Sequence, residues 1–490
     1  MKKIFNIVAI SLAISATLGF QSCKDDDNAP VATKLQISTV DATPLSSLEF
    51  SMGSTSTMIA VLCDADWTAE SSEDWCLISN HAGYGYAEKY SYIKVLTGKN
   101  MGEARTATIT FRSGDKTATI NVTQKGAGAD PGDPFMSSFA LLEQVHLGYN
   151  LGNTLDANAD PLTADWFKPT DVYSWETVWG QPVTTQAIID EIASKGFDFF
   201  RIPVTWHPHM DAQGNVDKAW MDRVEEVVNY VLNTGSYCIL NVQHDTGDVW
   251  KDVVSGARKD RGGWLRADMD AYDEISPIYK TLWTNIATRF KNYDDHLIFE
   301  SFNEILNPTT GWTQPSAGHQ AYECIRRLHQ DFVDAVRATG GNNEYRNLSL
   351  NPYSAGSNEV NLNEMVVPND KHPNHILFSI HSYDPYNFCN ENGEWTKYVW
   401  DKDCEKEVDE ITARVDARFQ ALGVPYFYGE FGAIDAGKEM AERIKYAKYM
   451  VNKFNQYHTT GLWWMGLYDR KENKWYESEI VNAMMETYKP

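Results

Sequence analysis

The chain has 490 residues, which is room for more than one domain and a large core. Its 67 acidic residues against 43 basic ones leave a formal charge of −24, which argues against a nucleic-acid partner. Aromatic residues make up 12%, with 16 Trp and 25 Tyr; most such rings must be core, but flat amphipathic rings also suit the apolar faces of sugars.

Met1-Lys2-Lys3 followed by the apolar run Ile4 to Ile14 reads as a secretory signal over residues 1–22, too short and wrongly flanked for a spanning helix. It ends at Phe20-Gln21-Ser22-Cys23, which resembles a bacterial lipoprotein box with Phe20 in place of the usual Leu, and implies a lipid on Cys23. Lys24-Asp25-Asp26-Asp27 resembles the acidic tag of surface-exported lipoproteins of the Bacteroides group, so the implied address is the outer face of the outer membrane. Beyond Cys23 there are six Cys and no close Cys-x-x-Cys pair; Cys389 and Cys404 flank one loop and either bridge or remain buried thiols.

Residues 35–125 alternate apolar and polar in short runs, among them Met58 to Leu62, Thr106 to Phe111 and Thr117 to Val122, with Ser113-Gly114-Asp115 as a hairpin turn. This pattern predicts a small antiparallel β-sandwich of immunoglobulin type. Ala65 to Ala69, Asp74-Trp75-Cys76 and the closing Val122-Thr123-Gln124 resemble the BACON domain, which often precedes carbohydrate-active enzymes. A spacer role is favoured over sugar binding, with Trp67 and Trp75 as core residues. The Gly- and Pro-rich stretch at 126–137 reads as a linker.

From 138 to 490, apolar strand candidates near 147–151, 197–202, 237–242, 297–302, 348–351, 376–380, 426–429 and 461–464 alternate with amphipathic helical patterns such as Met221 to Leu232. Strand and helix alternating in this way predict a (β/α)8 TIM barrel, an α/β fold that keeps its chemistry at the C-terminal strand ends. No Gly-rich phosphate loop and no Gly-x-Ser-x-Gly elbow interrupts the pattern.

Two of those ends carry carboxylates. Leu297 to Phe302 runs into Asn303-Glu304, and Pro425 to Tyr428 runs into Gly429-Glu430. Glycosidic bond cleavage needs one protonated carboxyl group for the leaving oxygen and one ionised group to attack or to activate water. At these residues the chain resembles family 5 glycoside hydrolases, with Glu304 as the implied acid/base and Glu430 as the implied nucleophile of a retaining mechanism. Other strand ends fit the same resemblance. Tyr149-Asn150-Leu151-Gly152-Asn153-Thr154 resembles the family's opening motif, and Glu176-Thr177-Val178-Trp179-Gly180 is similar to a subfamily rich in endoglucanases and xyloglucan-active enzymes. Arg201 is implied to hold the nucleophile, and His244 to be the active-site His, with Gln243 standing where a first His is usual. His381 and Tyr383 are implied to flank the carboxylates, Asn303 to hold the 2-hydroxyl, and Trp464, Asn150 and Trp179 to contact substrate. Met465-Gly466 depart from the usual Asp-Asn.

His207-Pro208-His209 lacks a third ligand nearby in sequence, so no metal site and no cofactor is expected, and a sugar-contacting or exposed loop fits it better. The expected partner is a polysaccharide, with the membrane reached through lipid and the protein a monomer. Endo-cleavage of a plant β-1,4-glucan is expected, xyloglucan foremost, with side branches read by loops such as Asn387 to Tyr398 and Val249 to Arg266. Cellulose, mixed-linkage glucan and mannan remain alternatives, and a non-catalytic carbohydrate-binding lipoprotein is the competing class.

Overall fold

The computed structural model describes residues 32–50, 55–73, 75–85, 89–97, 100, 104–125, 135–159, 166–247 and 263–489. The signal segment, Cys23, most of the linker and the greater part of the 249–266 loop therefore lie outside the described residues.

The N-terminal part is a two-sheet sandwich. One sheet orders Leu35–Ser38, Thr55–Cys63, Ser91–Thr97 and Cys76–Ile78; the other orders Ser47–Phe50, Lys116–Gln124, Arg105–Ser113, Trp67–Ser71 and Ala82–Gly83. Alternate residues face inward, so Ile59, Val61, Ile93, Val95, Ile109, Phe111, Ile120 and Val122 are all buried in one cluster. Ser113 pairs with Lys116 across a two-residue turn, and Gly114 takes φ +58, where a side chain would be strained. One strand departs from the antiparallel expectation: Ser47–Phe50 runs parallel to Lys116–Gln124. Trp67 is buried, its ring 6.1 Å from Phe111, and Arg105 lies over Trp75 at 4.4 Å, so neither ring is an open platform.

The rest is a closed parallel barrel of β1 (Leu147–Asn150), β2 (Phe197–Ile202), β3 (Tyr237–Asn241), β4 (Leu297–Glu300), β5 (Leu348–Leu350), β6 (Ile376–Ser382), β7 (Tyr426–Phe431) and β8 (Gly461–Trp464). Around it lie α1 (Gln186–Ser194), α2 (Lys218–Leu232), α3 (Tyr272–Phe290), α4 (Gln320–Ala338), α5 (Glu359–Asn363), α6 (Lys402–Leu422), α7 (Met440–Tyr457) and α8 (Ser478–Thr487). Helix starts are set by side-chain caps: Asp217 accepts from the Ala219 and Trp220 amides, and Asp401 from those of Asp403 and Cys404.

Two apolar layers hold the barrel. Phe199, Ile239, Ile298, Leu377, Phe427 and Leu462 fill the lumen, with Leu141, Leu142 and Val145 joining from the segment that opens with the short helix Ser138–Leu142. The second layer packs the outward strand residues against the helices. The barrel begins before residue 138, because the Met136 amide donates to Asp295 and its carbonyl accepts from Asn347. Above the apolar lumen residues, alternation continues into a polar floor that includes Asn150, Arg201, Asn241 and Glu300, and on this floor the site is built.

Candidate active site

Arg201 stands at the end of β2, fully buried, and all five of its N–H bonds are used. Nε and Nη2 donate to Glu300 Oε1 at 3.0 and 2.7 Å, and Nη2 also donates to Asn303 Oδ1 at 2.8 Å. Nη1 donates to Asn150 Oδ1 at 3.0 Å and to Glu430 Oε1 at 2.8 Å. A guanidinium is the side chain suited to this arrangement, since its fixed planar fork can serve several acceptors at once.

Glu430, in β7, is held at both oxygens: Arg201 reaches Oε1, and the Tyr383 hydroxyl donates to Oε2 at 2.9 Å. Burial and the neighbouring Glu430 charge push the Tyr383 phenol well above its ordinary value, so it remains a donor. Glu304, just past β4, is partly exposed, and its Oε1 meets His381 Nδ1 at 2.8 Å. Burial alone would lower the His381 imidazole, but the Glu430 charge and the bond to Glu304 outweigh it and hold it above 6.5. Ligand atoms of Glu304, His381 and Glu430 lie within 4.8 Å of one another. One oxygen of Glu304 and one of Glu430 thus approach more closely than the roughly 6.5–9.5 Å between the carboxyl groups of an inverting hydrolase, which must admit water between them.

Two register shifts help to aim these groups. One falls between Ile380 and His381, the other in β7 between Tyr428 and Phe431, and across them His381 and Glu430 become direct neighbours. Gly429 makes this approach feasible, because a Cβ there would sit 2.1 Å from Ser379 Oγ and 3.3 Å from His381 Nε2.

Arg201, Asn303, Glu304, His381, Tyr383 and Glu430 are therefore brought together. Trp464 ends β8 half-buried, its indole against Gly152, where a Cβ would come within 2.9 Å of the ring. Trp463 points the other way, into the core against Phe431 and Tyr446. His244 and the exposed Trp179 form a separate pair with ring centroids 5.3 Å apart, and His244 Nε2 is 3.7 Å from Asp156.

Asn150 is a correction. Its side chain is fully buried below the surface of the cleft; Oδ1 accepts from Arg201, and Nδ2 points at the carbonyls of Gly429, Leu462 and Trp463. It braces the floor and does not face a ligand. His209 is also packed and not exposed: its ring stacks on Trp220 at 3.7 Å, and burial with the nearby His207 drives the imidazole down to about 3. Cys389 and Cys404 are free buried thiols.

Sequence reasoning passed over Glu300 and Asp245. Glu300 is fully buried as the second carboxylate on Arg201; strand alternation from the lumen residue Ile298 was the available signal. Asp245 accepts from the Trp206 and His207 amides at 2.8 Å each and from Trp264 Nε1 at 2.7 Å, tying together the loops after β2 and β3.

Residues 161–469 match the Cellulase (glycosyl hydrolase family 5) profile. The chain belongs to glycosyl hydrolase family 5. Residues 65–125 match the BACON profile, described as a putative N-terminal binding domain. Endoglucanase A of Ruminococcus albus is 32% identical, over 77% of this chain and 99% of that one. The xyloglucan-specific endo-β-1,4-glucanase of Bacteroides ovatus is 29% identical, over 97% of this chain and 95% of that one. A family 5 glycoside hydrolase of Prevotella bryantii B14, solved as a mutant with a xyloglucan tetradecasaccharide, superposes with TM-score 0.65 at 38% identity, over 72% of this chain and all of that one. This family 5 chain is accordingly a retaining glycoside hydrolase of endoglucanase type, and the non-catalytic alternative is set aside.

Proposed function

We propose that the protein cleaves the β-1,4-glucan backbone of xyloglucan internally, with Glu430 as nucleophile and Glu304 as acid/base. The observation that carries the residue roles is the contrast between the two carboxylates. Glu430 is buried and held at both oxygens by Arg201 and Tyr383, which aims the carboxylate. Glu304 is the more exposed, with His381 on one oxygen only.

In the first step a Glu430 oxygen attacks C1, the bond from C1 to the leaving oxygen breaks, and that oxygen takes the proton of Glu304. In the second step Glu304, now ionised, removes a proton from water, water oxygen bonds C1 and Glu430 leaves as carboxylate. Asn303 has its Oδ1 fixed by Arg201, which leaves the amide Nδ2 to donate to the sugar 2-hydroxyl. Trp464 offers a face for stacking.

For the substrate, support comes from the Bacteroides ovatus relative, which aligns across both domains, and from the xyloglucan bound by the Prevotella bryantii enzyme. Exposed Trp179, Trp312, Trp395 and Tyr398, on loops that follow the C-terminal strand ends, suit a long branched chain. Two experiments test the reading. Glu430→Ala should abolish hydrolysis, and Glu304→Ala should regain turnover of an activated aryl glycoside with azide, giving the β-glycosyl azide. Oligosaccharide profiling on xyloglucan, carboxymethyl cellulose, barley β-glucan and mannan should show xyloglucan cut fastest and internally; activity on mannan alone would overturn the β-glucan assignment.

A further inference from the structure

The polar floor contains one carboxylate that takes no part in the double displacement. Glu300 is fully buried, and its Oε1 accepts from Arg201 Nε and Nη2 and, at 3.2 Å, from Asn241 Nδ2. Its Oε2 has no hydrogen-bond partner among the described residues. Arg201 therefore lies between two carboxylates, Glu300 and Glu430, of which only the second meets the reacting centre.

Charge accounting through the cycle gives Glu300 a task, and this step rests on Glu430 being the nucleophile. The double displacement starts from the Glu430 carboxylate and the Glu304 carboxylic acid. When the glycosyl ester forms, the electron pair of the Glu430 carboxylate becomes the new C1–O bond and the Glu304 proton departs with the leaving group. The negative charge has moved from Glu430 to Glu304, and Arg201 contacts Glu430 but not Glu304. With Glu430 as its sole counter-ion, a fully buried guanidinium would be stripped of compensation in every intermediate.

We propose that Glu300 is a positioning residue, the permanent counter-ion that keeps Arg201 charged and in place while Glu430 loses and regains its charge. Among the described residues, Arg201 from β2, His381 from β6, Tyr383 just beyond it and Glu304 beyond β4 are the ionisable groups in contact with Glu430 or clustered with it, and Glu300 acts on it through Arg201.

The test is Glu300→Gln, which keeps the shape and removes the charge. Arg201 then acts wholly on Glu430, stabilising the ionised carboxylate over the ester. With a 2-deoxy-2-fluoro aryl β-cellobioside, formation of the trapped ester should slow at least tenfold while its hydrolysis does not slow. The acid limb of kcat/KM should move to lower pH by about one unit, the size expected for removing one charge near the site. A uniform loss in both steps with an unmoved acid limb, or no change in either, would overturn the proposal. If the Gln variant fails to fold, Glu300→Asp decides: it loosens the pair, and a folded Asp variant in which both steps slow equally rejects the idea. Peptide mapping of the trapped wild-type enzyme separates the two layers, since a label away from Glu430 would fault the catalytic assignment itself.

Discussion

A methyl group on Gly429 would land 2.1 Å from Ser379 Oγ and against the His381 ring, although the backbone there does not require glycine. The obstacle is steric, and Ser379 Oγ has no hydrogen-bond partner to lose among the described residues. Gly429→Ala should therefore cut kcat by about 10²-fold, the order seen when catalytic groups shift by an ångström. Gly429→Ala with Ser379→Ala should recover most of it; a double variant no better than the single would sink this steric account. A second residue-scale expectation follows from His381, held above its ordinary 6.5 by the carboxylates that outweigh burial. A raised folded value means its stabilising contribution is complete below the unfolded value and disappears as pH rises through the folded one. The Tm difference between wild type and His381→Asn should shrink from pH 5.5 to pH 9; a constant difference would show the pairing to be uncharged. At this scale Glu304 and Glu430 could be singled out in the sequence because each follows an apolar run at a strand end, and together they make the pair of carboxyl groups that glycosidic cleavage needs. Asn150 was misread because its motif identifies the strand end but not the direction of the side chain. Burial and the demands of Arg201 decide that direction, and both arise from strands 51 residues and more away in sequence.

The eight strands were legible as elements because each is a short apolar run between helical patterns, and barrel closure then follows from the right-handed crossovers that parallel strands require. What alternation alone does not give is the bulge. Strict period two from the lumen residue Phe427 puts Gly429 inward and Glu430 outward, and the register shift in β7 restores Glu430 to the site. The same counting from Ile298 puts Glu300 inward with no irregularity, yet it reads as a strand-end acid until Arg201 is known to lie opposite. The parallel pairing of Ser47–Phe50 was hidden too, since a four-residue edge strand carries no signal of direction. Asp245 shows how loops are tied to these elements: three donors from two loops converge on one buried carboxylate. Asp245→Ala leaves three donors unsatisfied, at about 1–3 kcal/mol each before water enters, so a net loss of about 3 kcal/mol is expected in chemical denaturation. KM should rise with it, because the Trp206–His207 segment is freed. An unchanged denaturation midpoint would show that water replaces the carboxylate without cost.

At the scale of the whole molecule the question is why a β-sandwich precedes the barrel. A cavity of about 360 Å³ is lined on one side by Ser56, Met58, Lys94 and Leu96 of the sandwich and on the other by Gly423 to Tyr426, where β7 of the barrel begins. Glu430 lies toward the opposite end of β7, so the sandwich sits away from the cluster of Glu304, His381 and Glu430. Its two candidate platforms are also spoken for, Trp67 by Phe111 and Trp75 by Arg105. No helix among the described residues is long and apolar enough to cross a membrane. We propose that the mature chain is held to the outer membrane by lipid at Cys23, with the sandwich as a spacer that carries the cleft clear of the surface. Two acyl chains suffice for a lasting anchor, whereas one gives only reversible binding. Cys23→Ala should move the enzyme from the membrane to the soluble fraction with kcat/KM on soluble xyloglucan unchanged. The isolated sandwich should migrate unretarded in gels containing soluble β-glucans. A Cys23→Ala protein that stays with membranes would remove the anchor, and clear retardation would turn the spacer into a binding module. The two outcomes are independent, because a tether acts through the distance it sets and a binding module through contacts it makes.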